Sequence, residues 1–366
     1  MLSVLVLGGY GFFGTRIAKA LAEDARVRVL IGGRDPEKAV ATAHALGLPA
    51  QQSVSVDAHG GDLAARLRAL GVGVVVHTAG PFQTQGYDVA QAAIDAGWHY
   101  IDLADGREFV AGITALDAQA RRNGVSVISG ASSLPALTSA VVDRYAPRFA
   151  ELTAIRIGIA TGARAPGLAT VRAVFGYLGK QFTRLEDGAC VTTYGGLDLH
   201  RHRFPEPVGA RWMSSCDVPD LEVLPARYAT VRTVTFHAGF ASNVGHLVVY
   251  ALAGLVRGGL LNSALPLAGP LNRLARIIEP AVNHRGGMFV TLEGTGHGGE
   301  AQSLTWTLLA AQNHGPQIPC GAAIALVRKL ANGHALPLGA TPCVGLLSVE
   351  EYLAPLRELD IIEMPP

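Results

Sequence analysis

Charge is scarce in this 366-residue chain: charged residues make up 16% of it, against 49% apolar. Lysine occurs only at Lys19, Lys38, Lys180 and Lys329, and the formal net charge is +1. No basic tract is present to neutralise a phosphate backbone, so nucleic acid is not an expected partner. Cysteine is equally sparse. Cys190, Cys216, Cys320 and Cys343 form no Cys-x-x-Cys pair, which reads as buried, reduced thiols in a cytoplasmic protein. Long apolar runs are missing too. The nearest to a membrane span, residues 244–271, is interrupted by His246, Arg257, Asn262 and two prolines before about twenty apolar residues accumulate. Met1 to Leu7 is apolar but lacks a basic start and runs straight into glycines, so it reads as a core strand and not a signal peptide.

Glycine, by contrast, is abundant. The stretch VLVLGGYGFFG, Val4 to Gly14, is an apolar run that enters a glycine turn and opens into an amphipathic helix. Such a turn brings bare amides and the positive end of a helix to a pyrophosphate. Gly9, Gly11 and Gly14 fit Gly-x-Gly-x-x-Gly, where the first glycine turns the chain, the second admits the phosphates and the third lets helix pack on strand. In a chain with 44 glycines the triplet alone is weak. The strand before it and the helix after it supply the context the motif needs, and a dinucleotide is the expected ligand.

After the turn, short β-branched runs alternate with helical stretches, the pattern of a parallel sheet covered on both faces. Strands are expected at Val4–Leu7, Val27–Ile31, Val54–Val56, 72–77, His99–Leu103 and Val125–Ile128. Helices are expected near Gly14–Glu23, Pro36–Leu46, Asp62–Leu70, Tyr87–Ala96 and Glu108–Asn123. Six strands with connecting helices in about 130 residues make a Rossmann domain. The rhythm changes after Ser129: a helix at Pro135–Tyr145 precedes longer alternating stretches, Leu152–Thr161, Ala189–Phe204 and Thr230–Gly239, that suit an antiparallel or mixed sheet. The reading is therefore an α/β chain in three parts: a doubly wound Rossmann domain over 1–130, an α+β substrate and dimerisation domain over 131–330, and a tail over 331–366, with a short helix at Val349–Leu359, that packs back on the Rossmann domain.

The second strand ends in Ile31, Gly32, Gly33, Arg34, where a cofactor with a free ribose 2′-hydroxyl would meet a carboxylate. The missing acid and the arginine beside it favour a 2′-phosphate, hence NADP over NAD; Asp35 sits close by, and Arg34 as a solvated loop residue is the rival reading. Besides Gly33 and Arg34, the residues expected around the cofactor are Gly8, Gly9, Tyr10, Gly11, Phe12, Phe13 and Gly14, with Thr15 and Arg16 within reach of phosphate. After the fourth strand, Thr78, Ala79, Gly80 and Pro81 are expected along the nicotinamide half.

The glycines also read as Gly8-x-x-Gly11-x-x-Gly14, as in short-chain dehydrogenases. That family needs Tyr-x-x-x-Lys, and here Tyr177 precedes Lys180 by three positions, so it is set aside. The chain resembles the saccharopine dehydrogenase and saccharopine reductase family, in particular its bacterial members with an NADP-binding domain and unassigned substrates. The resemblance lies in GGYGFFG at Gly8, GGR at Gly32, HTAGPFQTQG at His77, AGWHYIDLADG at Ala96, GASSLPAL at Gly130, RGGMFV at Arg285 and ATPCVGLLSVEEY at Ala340. It implies a Rossmann domain joined to an α+β domain that caps the nicotinamide, and pyridine-nucleotide redox chemistry at a carbon–nitrogen or similar double bond. The family's Thr-Gly-Glu after the fifth strand is here Ala104, Asp105, Gly106.

Hydride transfer also needs a proton donor or acceptor. Candidates are His237 in an apolar strand, Lys180 after a glycine in the second domain, and Tyr100 and Asp105 at the carboxyl end of the fifth strand. The bland alternatives are a core histidine, a solvated lysine and, for Asp105, a helix cap. His77 is expected to end the fourth strand in the sheet. Arg285 is the candidate for substrate binding, in a glycine-rich segment with His284, His297 and Glu300 that equally suits hairpin turns. His200 and His202, alternating with Arg201 and Arg203, read as a solvated strand face, and no metal is expected. Three functions stay open: an NADP-dependent oxidoreductase acting on a small-molecule substrate, a trans-acting enoyl reductase for a lipid-like chain, and a catalytically silent NADP-binding redox sensor or assembly subunit. The apolar stretch from Leu247 to Leu271 is read as core, as the contact of a homodimer, or as the wall of a lipid channel with peripheral membrane contact.

Overall fold

A computed structural model describes residues 1–58, 60–71, 73–162, 168–278 and 284–366. The chain divides into two compact units, residues 1–140 with 317–356, and residues 141–316 with 357–366.

In the first unit six strands run parallel: β1 (Leu2–Leu7), β2 (Val27–Gly33), β3 (Ser53–Ser55), β4 (Val74–His77), β5 (His99–Asp102) and β6 (Ser126–Ser129). Their order is β3-β2-β1-β4-β5-β6, and Gly339–Pro342 pairs parallel with β6 as a seventh strand. Val4 to Val6 are fully buried, which is why β1 reads as an unbroken apolar run instead of an alternating one. The order reverses at β1/β4, where Val6 pairs with Ile31 on one side and Val76 on the other. An open α/β sheet binds its ligand at that switch point. The connecting helices Gly14–Ala22, Pro36–Ala45, Leu63–Leu70 and Asp88–Ala96 lie where expected. The expected Glu108–Asn123 helix is instead Arg107–Gly112, a tight turn at Ile113–Leu116 and Asp117–Arg122.

The unit boundaries differ from those expected at 130 and 330. Helix Gly321–Ala331 belongs to the first unit because it is apolar nearly all round. Every residue from Gly321 to Val327 is buried, and Arg328 Nη2 donates to the Ala20 carbonyl at 3.0 Å. The short helix near the end is Val349–Leu353, started by a capping box between Ser348 and Glu351.

The second unit holds β7 (Phe149–Ala160), β8 (Gln181–Glu186), β9 (Ala189–Tyr194), β10 (His200–Arg203), β11 (Ala210–Ser215), β12 (Thr233–Gly239), β13 (Gly286–Gly296) and β14 (Ala301–Ala310). The main sheet runs β10-β11-β12-β7-β13-β14 and ends in Ile361–Met364; β12 and β7 are parallel and every other pair antiparallel, so the sheet is mixed. The stretch expected as one strand, Ala189–Phe204, is two: β9 forms a separate hairpin with β8, and β10 joins the main sheet. The break is a turn in which Gly196 and Asp198 both take positive φ, +78° and +59°. Residues 349–359 and 189–204 thus show that local periodicity marks an element's existence better than its ends.

A nucleotide cradle and a carboxylate-centred cluster

The glycine turn of the first unit is built from close backbone approaches. Gly8 adopts φ +82°, and its amide and that of Gly9 both donate to the Gly32 carbonyl, at 2.8 and 3.1 Å. The left-handed residue of the turn is thus Gly8, one place before the glycine to which the motif assigns the turn. A Cβ on Gly14 would lie 2.2 Å from the Gly8 carbonyl oxygen and 2.8 Å from Thr78 Oγ1, so the helix meets the turn where no side chain fits. Thr78 Oγ1 donates to the Leu7 and Gly8 carbonyls at 3.0 and 3.2 Å, tying the end of β4 to the turn. Thr15 Oγ1 donates to the Gly9 and Gly11 carbonyls and so braces the turn from within.

What the turn leaves open matters as much. The Gly14–Ala22 helix starts at Phe13 without any side-chain cap. The amides of Tyr10, Phe12 and Phe13 take no backbone hydrogen bond among the described residues. Uncapped amides at the positive end of a helix form an anion site. Arg16, one turn in, lies over the Phe12 ring at 4.0 Å and donates to the Phe12 carbonyl, and burial lowers its pKa.

At the end of β2, Arg34 and Asp35 stand in different surroundings. Asp35 caps helix Pro36–Ala45 by accepting from the Lys38 amide at 3.1 Å, and its Oδ2 pairs with Lys38 Nζ at 2.8 Å. Its own amide donates to Tyr10 Oη at 3.1 Å, and the Tyr10 ring covers Gly33, where a Cβ would come within 2.3 Å of it. The carboxylate is committed to the helix. Arg34 is exposed and has no partner among the described residues. Ala79 lies close against Gly8, whose added Cβ would sit 3.1 Å from the Ala79 amide nitrogen, and Gly80 and Pro81 are exposed beyond it. These residues fit a dinucleotide with a 2′-phosphate: free amides for the pyrophosphate and a free guanidinium at the ribose end.

Behind the carboxyl edge of the sheet lies a buried polar group. Asp102 is fully buried, and its Oδ1 accepts from the Ala104 and Gly130 amides and from Ser129 Oγ at 2.8 to 3.0 Å. Burial nevertheless pushes its pKa up to about 6. Tyr100 Oη meets His77 Nδ1 at 2.9 Å; both residues are buried in the unit's interior, and burial drives the phenol well above its ordinary range. Tyr100 is thereby placed in the core and not on a substrate-facing surface. Asp105 is exposed and accepts from Gln83 Nε2 at 2.9 Å; the cap position of the next helix belongs to Gly106.

In the second unit, His237 is not alone in its strand. Its Nε2 lies 3.1 Å from Asp198 Oδ2, the oxygen that also accepts from Arg184 Nη1 at 2.8 Å and Ser215 Oγ at 3.0 Å. Arg184 in turn pairs with Glu186 at 3.0 Å. The contacts with His237 and Arg184 hold the Asp198 carboxyl well below the usual carboxylate range. The His200 ring meets His237 edge-on at 4.3 Å. His202 stacks on Phe289 at 3.9 Å, and burial lowers its pKa to about 4. The expected solvated face at His200 and His202 is therefore half-buried and aromatic, because β13 supplies Phe289 opposite it. No group of three or more His, Cys, Asp or Glu residues that could hold a metal occurs among the described residues.

Lys180 is exposed at the start of the hairpin, its amide donating to the Tyr177 carbonyl at 3.0 Å and its carbonyl accepting from the Gly195 amide at 2.9 Å. Arg285 is exposed and reaches the Pro207 carbonyl at 3.5 Å, while residues 296–300 form the hairpin turn between β13 and β14. Of the four cysteines only Cys320 and Cys343 are buried, against the expectation for all four; Cys190 is exposed and Cys216 half-buried. Asp198, Arg184 and Ser215 carry no signal in spacing: they lie 39, 53 and 22 positions from His237 in sequence and meet only in the fold.

Residues 4–128 match the family model of the saccharopine dehydrogenase NADP-binding domain. No curated protein matches the chain. Among solved structures, the chain is similar to apo saccharopine dehydrogenase (L-Glu forming) from Saccharomyces cerevisiae, at 13% identity over 100% of both chains with a TM-score of 0.68. It is also similar to an amine dehydrogenase from Mycobacterium smegmatis, at 12% identity over 96% of this chain and 95% of that one, with a TM-score of 0.51. At such identities the structures show a shared fold.

The Rossmann sheet, the uncapped glycine turn and the domain match define an NAD(P)-dependent oxidoreductase that uses NADP. More particularly, the first domain is similar over residues 4–128 to the saccharopine dehydrogenase NADP-binding domain.

Proposed function

We propose that the chain catalyses hydride transfer between NADP and a carbon–nitrogen or related double bond of a small-molecule substrate in the cytoplasm. The observation that carries the cofactor half is the pairing of an uncapped helix start with an unpartnered Arg34, while Asp35 is committed to Lys38. The redox class rests on the domain match. When bound, the nicotinamide supplies the hydride; the protein's task is to hold the acceptor and to handle one proton.

For that proton, His237 is the group best equipped. A carboxylate orients its Nε2, as in other base-and-orienter pairs, and the opposite nitrogen makes no hydrogen bond among the described residues. Asp198 acts through His237 as a positioning residue, itself held by Arg184 and Ser215. Lys180 and Asp105 are the second-line candidates, each exposed.

The test is oxidation of NADPH by the purified chain across a panel of cyclic imines, ketones and enoyl thioesters. Turnover on imines that falls at least tenfold in His237→Gln supports the reading. Turnover confined to enoyl thioesters, or tight NADPH binding with no turnover on any of the three, overturns it.

A further inference from the structure

Helix Asn243–Arg257 is apolar on both sides. Its inner side packs Val249, Leu252, Ala253 and Val256 against Phe175, Leu178 and Ala268. On its outer side Val244, Val248, Ala251 and Leu255 recur at steps of four, three and four, the spacing that keeps residues on one helix face. Leu247 flanks them, and Leu260 extends the strip beyond the helix end. All six are exposed, Val244 to 74% and Leu260 to 76%. A helix that is apolar all round normally has a cover on every side, and among the described residues this one is covered on one side only.

We propose that this strip is the surface on which a second copy of the chain docks, making the protein a homodimer. Area is the first reason. The exposed fractions amount to roughly 500 to 600 Å² of apolar surface, at the top of what a lone monomer leaves in one patch and near the ~800 Å² each partner brings to a stable interface once flanking residues are counted. Charge is the second. A two-fold axis sets each residue of the contact near its own copy, so a charged strip would repel itself. No carboxylate occurs between Glu222 and Glu279, and none of the strip's residues is charged. Arg257, at the helix end, is turned over the Tyr194 ring at 4.1 Å.

A bilayer surface fits less well. Helices that lie in a membrane interface carry a lysine- and arginine-rich polar face and aromatic anchors. Here the face opposite the strip is core, the helix has no lysine, and the strip has no aromatic ring. Ala251, small and central, is where two such helices would cross most closely.

The test uses the full-length protein at micromolar concentration in sedimentation velocity. A dimer is expected for the native chain, and a monomer for Val248→Glu with Leu255→Glu, with the Kd for NADPH unchanged within twofold. Should that variant fail to fold, Ala251→Cys in a Cys190→Ser background keeps the question answerable: a short bismaleimide should link two chains in high yield, and linkage absent above the Cys190→Ser control overturns the proposal. A native monomer also overturns it, including one that pellets with vesicles of phosphatidylglycerol and phosphatidylcholine, as does a dimer that survives both charge substitutions intact.

Discussion

Arg34→Asp should turn a chain that prefers NADPH into one that does not. The side chain is exposed and has no partner among the described residues, so removing it breaks nothing in the protein and the effect is read on the ligand alone. A hydrogen bond from a guanidinium to a phosphate contributes about 1.5 to 3 kcal/mol, which is about ten- to a hundredfold in Kd. An aspartate in its place also repels the 2′-phosphate, so the loss should lie at the upper end of that range. The same carboxylate can accept from a free 2′-hydroxyl, and the Kd for NADH should hold or improve. Asp35 does not already perform that role, because its carboxylate is divided between the Lys38 amide and the Lys38 ammonium. The measurement is calorimetric titration of both cofactors at one fixed salt concentration, since an exposed charge contact is screened over about 10 Å at 0.1 M salt. Equal weakening toward NADPH and NADH would refute the assignment of Arg34 to the 2′-phosphate.

Gly14→Ala should weaken NADPH binding at least tenfold and destabilise the first unit by about 1 to 3 kcal/mol, because the new methyl would sit 2.2 Å from the Gly8 carbonyl oxygen and must displace backbone; native-like affinity and melting would contradict the cradle described above. Asp102→Asn tests the buried carboxyl through pH. Its pKa is raised to about 6 by burial, above the unfolded value of about 3.9, so the native state binds the extra proton and this group's contribution to stability falls as pH rises from about 4 through 6. Relative to the asparagine variant, the native protein should lose about 2 to 3 kcal/mol across that window, as read by urea unfolding at several pH values. Parallel pH profiles for the two proteins would show the carboxyl to be unperturbed. Asp198→Asn should lower turnover about ten- to a hundredfold while the Kd for NADPH stays within twofold; a fall in cofactor affinity with unchanged turnover would assign the Asp198 cluster a structural role instead.

The first unit was legible because its decisive features are contiguous. VLVLGGYGFFG contains strand, turn and helix start in eleven residues, and backbone amides do the work, so the sequence signal is glycine itself. Asp35 ahead of Pro36 reads as a helix N-cap, and its contacts with the Lys38 amide and ammonium bear that out. Elsewhere the sequence misled where tertiary cover overrides rhythm. His200 and His202 alternate like a solvated strand, yet Phe289 and His237, far along the chain, cover them. Helix Gly321–Ala331 follows the second unit in sequence and lies in the first, because an all-apolar helix goes where it is enclosed.

The same reasoning explains why the substrate is harder to name than the cofactor. A dinucleotide is held by main chain, and main-chain geometry is written in short glycine motifs. The group proposed to handle the proton depends on side chains that converge from separate elements: Asp198 comes from a turn, Arg184 from β8, Ser215 from β11 and His237 from β12. No spacing rule links those four positions, and each alone has a commonplace reading as surface or core. What singles them out is their convergence on one carboxylate oxygen, three donors within 3.1 Å. An arrangement that keeps Asp198 at a positive φ of 59° to achieve this holds a non-glycine residue in a conformation such residues rarely adopt. Substituting Asp198 by glycine therefore separates the two effects: the backbone relaxes while the carboxylate is lost. If turnover falls as far in Asp198→Gly as in Asp198→Asn while stability rises, the strain serves the placement of the carboxylate against His237, and the second unit's chemistry is centred there.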